Sequence, residues 1–209
     1  DIINFARAKE YVFYKPIENK KYKYNNDENS YEIKIGTVLN NRYELLKEIG
    51  RGGISTVYLA RDTRINKAWA LKIIRKDCNN FDFARETVIK EAWALKTFSH
   101  PALPQIADVI DKPECIAIVM DYVEGETLEN IVKNYGAQPV ERVIDWVEQI
   151  CDVLGYLHTF NPPFIYRDMK PANVLLQPNG NIKIINFSII RTYDLMKDRD
   201  TCFLGTKGY

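Results

Sequence analysis

A polar loop that runs directly into an apolar strand decides the fold of this chain. The loop has the sequence Tyr166-Arg167-Asp168-Met169-Lys170-Pro171-Ala172-Asn173, and the strand that follows it is Val174-Leu175-Leu176. A second apolar run, at residues 182–185, comes after the turn signal Pro178-Asn179-Gly180. Two short apolar runs on either side of such a turn predict a β-hairpin. The charged loop is therefore expected at the end of a small sheet.

Two helices are predicted before this loop. Residues 128–134 form a short helix, and residues 140–158 place apolar side chains three and four positions apart along one face. These side chains belong to Val140, Val143, Ile144, Val147, Ile150, Cys151, Leu154 and Leu157. The pattern predicts that the long helix is buried along its length.

Upstream of these helices, the sequence changes to short runs rich in β-branched and aromatic residues. Strands are predicted at residues 43–49, 56–61, 68–74, 105–111 and 116–122, and one helix at residues 83–98. One face of that helix carries Val88, Ala92, Leu95 and Phe98. The fold class is therefore predicted to be α+β, with a five-stranded antiparallel sheet and one helix followed by a mainly helical part.

A glycine-rich turn joins the first two predicted strands. Its sequence is Gly50-Arg51-Gly52-Gly53-Ile54-Ser55-Thr56-Val57. Glycines let backbone N–H groups approach phosphate oxygens that side chains would otherwise exclude. A plain hairpin also uses glycines, so the turn is a candidate phosphate site only if other residues support it.

Lys72 and Glu91 give that support. Lys72 ends the run Trp69-Ala70-Leu71-Lys72, so alternation along the strand points its side chain to the same side as Ala70, beneath the glycine-rich turn. Glu91 falls inside the apolar stripe of the next helix, where an unpaired carboxylate would be costly. We therefore expect Lys72 and Glu91 to form an ion pair whose ammonium group can also neutralise phosphate charge.

These elements, in this order, resemble the eukaryotic-like (Hanks-type) serine/threonine protein kinases over residues 43–209. The family's catalytic loop is His-Arg-Asp-x-x-x-x-Asn, and this chain has Tyr166 in place of the histidine. The resemblance implies that Asp168 orients the acceptor hydroxyl and takes its proton, that Lys170 supports the transferring phosphoryl group, and that Asn173 binds magnesium. It also implies ATP and Mg²⁺ as cofactors, and a protein with a Ser/Thr hydroxyl as substrate.

The same resemblance implies an adenine site. The run Val119-Met120-Asp121-Tyr122-Val123 is similar to the family's hinge, with Met120 as the gatekeeper residue. The backbone of Asp121 and Val123 would hydrogen-bond the adenine, and apolar side chains would sandwich its ring. The implied cofactor-binding residues are Ile49, Gly50, Gly52, Gly53, Val57, Ala70, Lys72, Met120, Asp121, Val123 and Leu175.

One departure from the family pattern bears on activity. Where the family has Asp-Phe-Gly, this chain has Asn186-Phe187-Ser188. Asparagine offers a metal ion one carbonyl oxygen and no charge, so we expect magnesium, held by Asn173 and Asn186, to bind weakly. Ser188 lacks the backbone freedom of glycine, so we expect the segment after it to rearrange less readily.

Regulation is expected in the segment after Phe187. Arg167 precedes the catalytic Asp168, and in the family an arginine there pairs with a phosphate on the activation segment. Thr201 is the expected acceptor of that phosphate. The alternative is that an acidic side chain of the same segment already supplies the anion, the candidates being Asp194, Asp198 and Asp200.

Three functions are compatible with these motifs. The first is a serine/threonine protein kinase, because Lys170 follows Asp168 by two residues and Thr206 lies in a Gly-Thr-x-x-Tyr stretch, and both accompany Ser/Thr acceptors in the family. The second is a pseudokinase that binds a nucleotide or a partner without turnover, which Asn186 and an incomplete large lobe favour. The third, a small-molecule phosphotransferase, is disfavoured because such enzymes generally lack the lysine at this position.

The chain is expected to divide into three parts. Residues 1–42 are rich in Asn, Lys, Glu and Tyr and show little periodicity, which is typical of an extension or linker. Residues 43–122 are the expected kinase N-lobe, and residues 123–209 a partial C-lobe that ends in the activation segment. The short loops and the ending Gly205-Thr206-Lys207-Gly208-Tyr209 are similar to the bacterial branch of the family.

Composition and charge exclude several other classes. The 209 residues include 29 Lys plus Arg and 28 Asp plus Glu, a formal net charge of +1, so no global field attracts nucleic acid or an anionic membrane. None of the cysteines forms a C-x-x-C pair, so neither a zinc site nor a redox dithiol is indicated. No apolar run approaches the roughly 18 residues of a membrane span. We expect a cytoplasmic location, with any membrane tether in a part of the protein outside this chain.

Overall fold

The described part of the chain begins with a six-stranded antiparallel sheet. The structure is a computed structural model, and it describes residues 33–52, 55–76, 81–187 and 191–192. The strands of the sheet are β1 (Val38–Leu39), β2 (Tyr43–Arg51), β3 (Thr56–Asp62), β4 (Ala68–Arg75), β5 (Ile106–Asp111) and β6 (Cys115–Asp121). Their order is β1-β2-β3-β4-β6-β5. The strand that carries Lys72 therefore lies next to the strand that carries the predicted hinge.

The sequence predicted five of these strands, and β1 is the additional one. It pairs with the start of β2 in antiparallel register. Asn40 and Asn41 lie in the turn between them, each with a φ of 52°, a left-handed conformation that asparagine adopts more readily than most residues. The prediction of five strands was wrong because β1 has only two residues, too few to show an alternating pattern. The domain boundary after residue 42 stays a prediction.

Helix α1 (Phe81–Thr97) packs against the sheet and also reaches the second half of the chain. Val88 and Ala92 are buried in a cluster with three isoleucines of β4 and β6. Leu95 and Phe98 are buried in the core of the second half. The face predicted from the spacing of these four side chains is therefore confirmed, and the helix joins the two cores.

The second half contains two helices and several short strands. The helices are α2 (Leu128–Tyr135) and α3 (Val140–His158). The strands are β7 (Glu126–Thr127), β8 (Phe164–Ile165), β9 (Val174–Leu176), β10 (Ile182–Ile184) and β11 (Arg191–Thr192). The predicted hairpin is β9 with β10, in which Val174 lies opposite Ile184. The α+β class is thus confirmed, and a 3₁₀ turn at Pro171–Asn173 leads the predicted catalytic loop into β9.

Helix α3 is buried along a narrower face than the sequence predicted. Val140 is 68% exposed and Ile144 is 51% exposed. The side chains that are buried are Trp146, Val153 and Leu157, which join the core of the second half. The prediction of burial along the whole length was wrong because the apolar stripe is wider than the surface that the described residues place against it.

Neither described cysteine forms a disulfide: Cys115 is buried and Cys151 is exposed, and both are thiols. Burial raises the pKa of the Cys115 thiol to about 11, so this side chain acts as a small apolar residue of the sheet.

Within the ranges that the structure describes, no helix is both long and apolar enough to cross a bilayer.

Gly125 lies where the chain leaves the predicted hinge and enters β7, against the backbone at the end of β9. A Cβ atom on Gly125 would lie 2.5 Å from the carbonyl oxygen of Leu176. We expect Gly125→Ala to lower the free energy of unfolding by about 1–3 kcal/mol, because backbone atoms cannot move aside as a side chain can. Urea unfolding would measure it, with Gly155→Ala as control, since a Cβ there meets no atom within 4 Å. Equal stability of the two variants would contradict the expectation.

Candidate active site

Lys72 and Glu91 form a buried ion pair between the sheet and helix α1. Lys72 lies in β4, opposite Val57 of β3 and Ile118 of β6. Its Nζ atom lies 2.8 Å from Glu91 Oε1 and 2.7 Å from Glu91 Oε2. The Lys72 side chain is 8% exposed and the Glu91 side chain 2% exposed. The ion pair predicted from the apolar position of Glu91 is confirmed, and it holds the ammonium group in one place.

Glu91 has a second partner, the backbone of Phe187. The N–H of Phe187 donates to Glu91 Oε1 at 3.1 Å, and the Phe187 side chain is buried in the core of the second half. One carboxylate therefore connects β4, helix α1 and the segment after β10. The only sign of this contact in the sequence is that a buried carboxylate, with two oxygens, needs more than one donor.

Asp168 is the acceptor in a second group of contacts. Asn173 Nδ2 donates to the Asp168 carboxylate oxygen Oδ2 and to the Asp168 backbone carbonyl, each at 2.8 Å. Lys170 Nζ lies 3.2 Å from the same Oδ2 atom. The 3₁₀ turn brings Asn173 back to Asp168, since the N–H of Asn173 bonds the carbonyl of Lys170 at 2.9 Å. The Asp168 carboxylate is thus held in one orientation, which proton transfer from a bound hydroxyl requires.

Tyr166 positions the backbone between the Lys72–Glu91 ion pair and the contacts of Asp168. Its hydroxyl donates to the carbonyl of Ile185 at 2.5 Å, and its ring packs edge-on against Phe187 with centroids 5.2 Å apart. Burial raises the pKa of Tyr166 far above its usual value, so the phenol stays protonated and remains a donor. Tyr166 is therefore a structural support for the segment that carries Asn186.

Asn186 lies between the ion pair and Asp168. Its backbone has a φ of 69°, in the left-handed region that asparagine tolerates. Its Oδ1 atom lies 3.4 Å from Lys72 Nζ, and its Nδ2 atom lies 3.5 Å from Asp168 Oδ2. A neutral amide therefore links the cation held by Glu91 to the carboxylate held by Asn173.

Several residues of the predicted adenine site are neighbours in the sheet. Ala70 lies opposite Met120, and Gly50 lies opposite Val57. Val57 in turn lies opposite Lys72. The strand pairing thus places the glycine-rich turn, the lysine and the predicted gatekeeper on four adjacent strands, in the order β2-β3-β4-β6.

One backbone N–H of the predicted hinge is used within the protein. The N–H of Asp121 bonds the carbonyl of Gln105 at 3.0 Å, so this N–H is used within the protein. Among the described residues, none hydrogen-bonds the backbone of Val123.

Two apolar residues of the predicted adenine site are partly exposed. Leu175 lies in β9 and is half-buried. Ile49 lies near the end of β2 and is 41% exposed.

Some predictions fall outside the described residues. These are the roles of Gly53 in the glycine-rich turn, of Ser188 after Phe187, and of the activation-segment residues Asp194, Asp198, Asp200, Thr201 and Thr206. In the part that the structure describes, no group of three or more His, Cys, Asp or Glu side chains could hold a metal ion. The two residues predicted to bind magnesium, Asn173 and Asn186, both lie in the described part of the chain, and each contacts the Asp168 carboxylate through its side-chain amide.

The connected contacts of Lys72, Glu91, Asp168 and Asn173 follow the order of the sequence motifs. A family model described as a protein kinase domain matches residues 43–209. The chain belongs to the protein kinase family. The resemblance found in the catalytic loop is therefore confirmed, and the α+β fold is that of a kinase domain.

Bacterial serine/threonine protein kinases are among the proteins that this kinase domain is similar to. It is 38% identical over 160 residues to a probable serine/threonine-protein kinase of Clostridium perfringens, covering 77% of this chain and 23% of that protein. It is 35% identical over 155 residues to the serine/threonine-protein kinase PrkC of Bacillus subtilis, covering 74% and 24%. For the serine/threonine-protein kinase PknB of Mycobacterium leprae the identity is 33% over 157 residues, covering 73% and 25%. The chain thus spans about a quarter of the length of these relatives, and it belongs to the bacterial branch of the Hanks-type kinases.

Proposed function

We propose that this kinase domain, as part of its natural protein, binds ATP and transfers the γ-phosphoryl group to Ser or Thr hydroxyls of a protein substrate. The observation that carries the proposal is the continuous set of contacts from Glu91 through Lys72 and Asn186 to Asp168. These contacts join the Lys72 ammonium group, which is suited to bind phosphate, to the Asp168 carboxylate, which is suited to accept a proton. The names of the bacterial relatives support the same activity.

Each charged side chain has a separate task in this proposal. Lys72, fixed by Glu91, binds the phosphates of ATP beneath the glycine-rich turn. Asp168 accepts the proton of the substrate hydroxyl as that oxygen bonds to phosphorus. Lys170, 3.2 Å from Asp168, offsets the negative charge of the transferring group. Because Asn173 bonds both the side chain and the backbone of Asp168, the base is oriented before the substrate arrives.

The two residues that we propose as magnesium ligands both have neutral side chains. Asn173 and Asn186 would hold the ion through amide oxygens, and a hard cation prefers carboxylates. Magnesium bound with ATP would neutralise phosphate charge and favour departure of ADP. The roles of Asn173 and Asn186 as ligands are therefore proposals that rest on the chemistry of two amides.

A pseudokinase that binds a nucleotide without turnover is the second candidate. The observation that favours it is the amide of Asn186, which bonds Lys72 and Asp168 where the family has a carboxylate. A measurement of phosphoryl transfer from labelled ATP to a mixture of casein and histones distinguishes the kinase from the pseudokinase. Label on Ser and Thr residues supports the kinase, label on Tyr residues contradicts the proposed acceptor, and nucleotide binding without label supports the pseudokinase.

We expect Asn186→Asp to raise phosphoryl transfer at saturating magnesium about tenfold, because a carboxylate adds the charge that a divalent cation prefers. The rate is measured with labelled ATP over a magnesium titration. Asn179→Asp is the matched control, because it adds the same charge on the exposed turn between β9 and β10. An Asn186→Asp rate that stays equal to the control at every magnesium concentration would show that this position does not limit activity.

A further inference from the structure

The side chain of Asn186 joins a cation to an anion through its own amide group. We propose that, because of this link, the kinase domain binds ATP with nearly the same affinity whether or not a divalent cation is present. Asn186 is the positioning residue for this property, since it acts through Lys72 and Asp168. The inference rests on the proposed function, because it requires that ATP binds at Lys72.

The two neighbours of Asn186 fix the orientation of its amide. The Lys72 ammonium group can only donate hydrogen bonds, and the Asp168 carboxylate can only accept them. The amide offers one acceptor and one donor group, and it presents Oδ1 to Lys72 at 3.4 Å and Nδ2 to Asp168 at 3.5 Å. A carboxylate at position 186 would satisfy Lys72, but it would place a second negative charge against Asp168.

The backbone on both sides of Asn186 is anchored. The N–H of Ile185 bonds the carbonyl of Asn173 at 2.9 Å, and the Ile185 carbonyl accepts from Tyr166. On the other side, the N–H of Phe187 bonds Glu91 at 3.1 Å. Asn186 adopts a φ of 69° between these anchors. Its amide is therefore placed by the fold itself, before any ligand binds.

Asn186 adds no charge to the charged side chains that it contacts. The polar cluster of Lys72, Glu91, Asp168, Lys170 and Asn186 includes two positive and two negative side chains. An aspartate at position 186 would add one negative charge to this cluster, which would repel the ATP phosphates unless a cation compensated it. With asparagine that negative charge is absent, so Lys72 can attract the phosphates without the compensation.

The test is a calorimetric titration of the 209-residue chain with ATP, once in excess magnesium and once in excess chelator. The quantity compared is the ratio of the Kd in chelator to the Kd in magnesium. For the parent chain we expect a ratio within about threefold of one, and for Asn186→Asp a ratio above about tenfold. Asn179→Asp, the charge control on the exposed turn, should keep the parent ratio. A titration with adenosine in chelator checks that the phosphates contribute.

Each outcome decides a separate point. A parent chain that binds ATP only in magnesium overturns the inference and leaves the proposed function standing. Equal affinities for adenosine and ATP in chelator also overturn it, because the phosphates are then not held. An Asn186→Asp ratio equal to that of the parent shows that the amide is not the cause. If neither condition gives binding while circular dichroism shows folded protein, the proposed function itself is wrong. Unfolding midpoints measured without nucleotide identify any variant that has lost its fold. If Asn186→Asp is such a variant, Asn186→Ala replaces it in the test, because alanine removes the link without adding charge. Asn186→Ala should weaken ATP binding in chelator.

Discussion

Asp168→Asn will lower the rate of phosphoryl transfer by about 10²- to 10⁴-fold, the usual contribution of a general base, while ATP affinity stays within about threefold. The amide has nearly the shape of the carboxylate but cannot take a proton from the substrate hydroxyl. Asn173 and Lys170 donate to Asp168 Oδ2, and the oxygen of the new amide can accept from them. Rates with labelled ATP and affinities from calorimetry separate the chemical step from binding.

The matched control for this substitution is Asp152→Asn on helix α3. The Asp152 side chain is 76% exposed and contacts His100, so the variant removes the same charge outside the described contacts of Asp168. The control should keep the parent rate. An Asp168→Asn variant that also keeps the parent rate would exclude Asp168 as the base, and one that loses ATP binding together with activity would assign it to the nucleotide site instead.

Glu91→Ala will lower the free energy of unfolding by about 3–5 kcal/mol, because it leaves the buried Lys72 ammonium without its carboxylate. Glu91 is 3% exposed, and it also loses its bond to the Phe187 N–H in this variant. The double variant Lys72→Met with Glu91→Leu should recover most of the stability, since apolar side chains of similar volume replace both charges. Urea unfolding followed by circular dichroism measures both.

The control on the same helix is Glu86→Ala. Glu86 pairs with Lys90 one turn along α1, and both side chains are more than half exposed, so this variant should change stability far less. If Glu91→Ala were no less stable than Glu86→Ala, the buried pair would contribute little to the fold. If the double variant were as unstable as Glu91→Ala, the loss would come from packing instead of an unpaired charge.

The part of the fold that the sequence predicted correctly is the part in which periodicity coincides with burial. Helix α1 buries Val88, Ala92 and Leu95 as their spacing indicates, and Phe98, directly after the helix, is buried as well. The β9–β10 hairpin follows its turn signal. The Lys72–Glu91 pair could also be predicted, because an acidic residue inside an apolar stripe requires a cation.

The remaining features depend on tertiary contacts that no local pattern encodes. The apolar stripe of α3 is the same whether or not a neighbour covers it, so the exposure of Val140 and Ile144 could not be predicted. Strand β1 is too short to show alternation. The link through Asn186 joins residues 114 positions apart in one direction and 18 in the other, and only the folded chain brings them together. The sequence showed that position 186 lacks the negative charge of the family's aspartate. It did not show that the Asn186 amide contacts both Lys72 and Asp168.

The hydrogen bond from Phe187 to Glu91 makes one amide proton a reporter for a whole helix. Any outward movement of helix α1 withdraws Glu91 from both Lys72 and the Phe187 N–H, which the carboxylate now holds at 3.1 Å. The exchange rate of that single proton with deuterated solvent therefore follows the population in which the helix has moved away. A nucleotide that favours the inward helix position would slow the exchange even if it never touched Phe187. The equilibrium between helix positions could in this way be followed without a substrate, an attached probe or turnover.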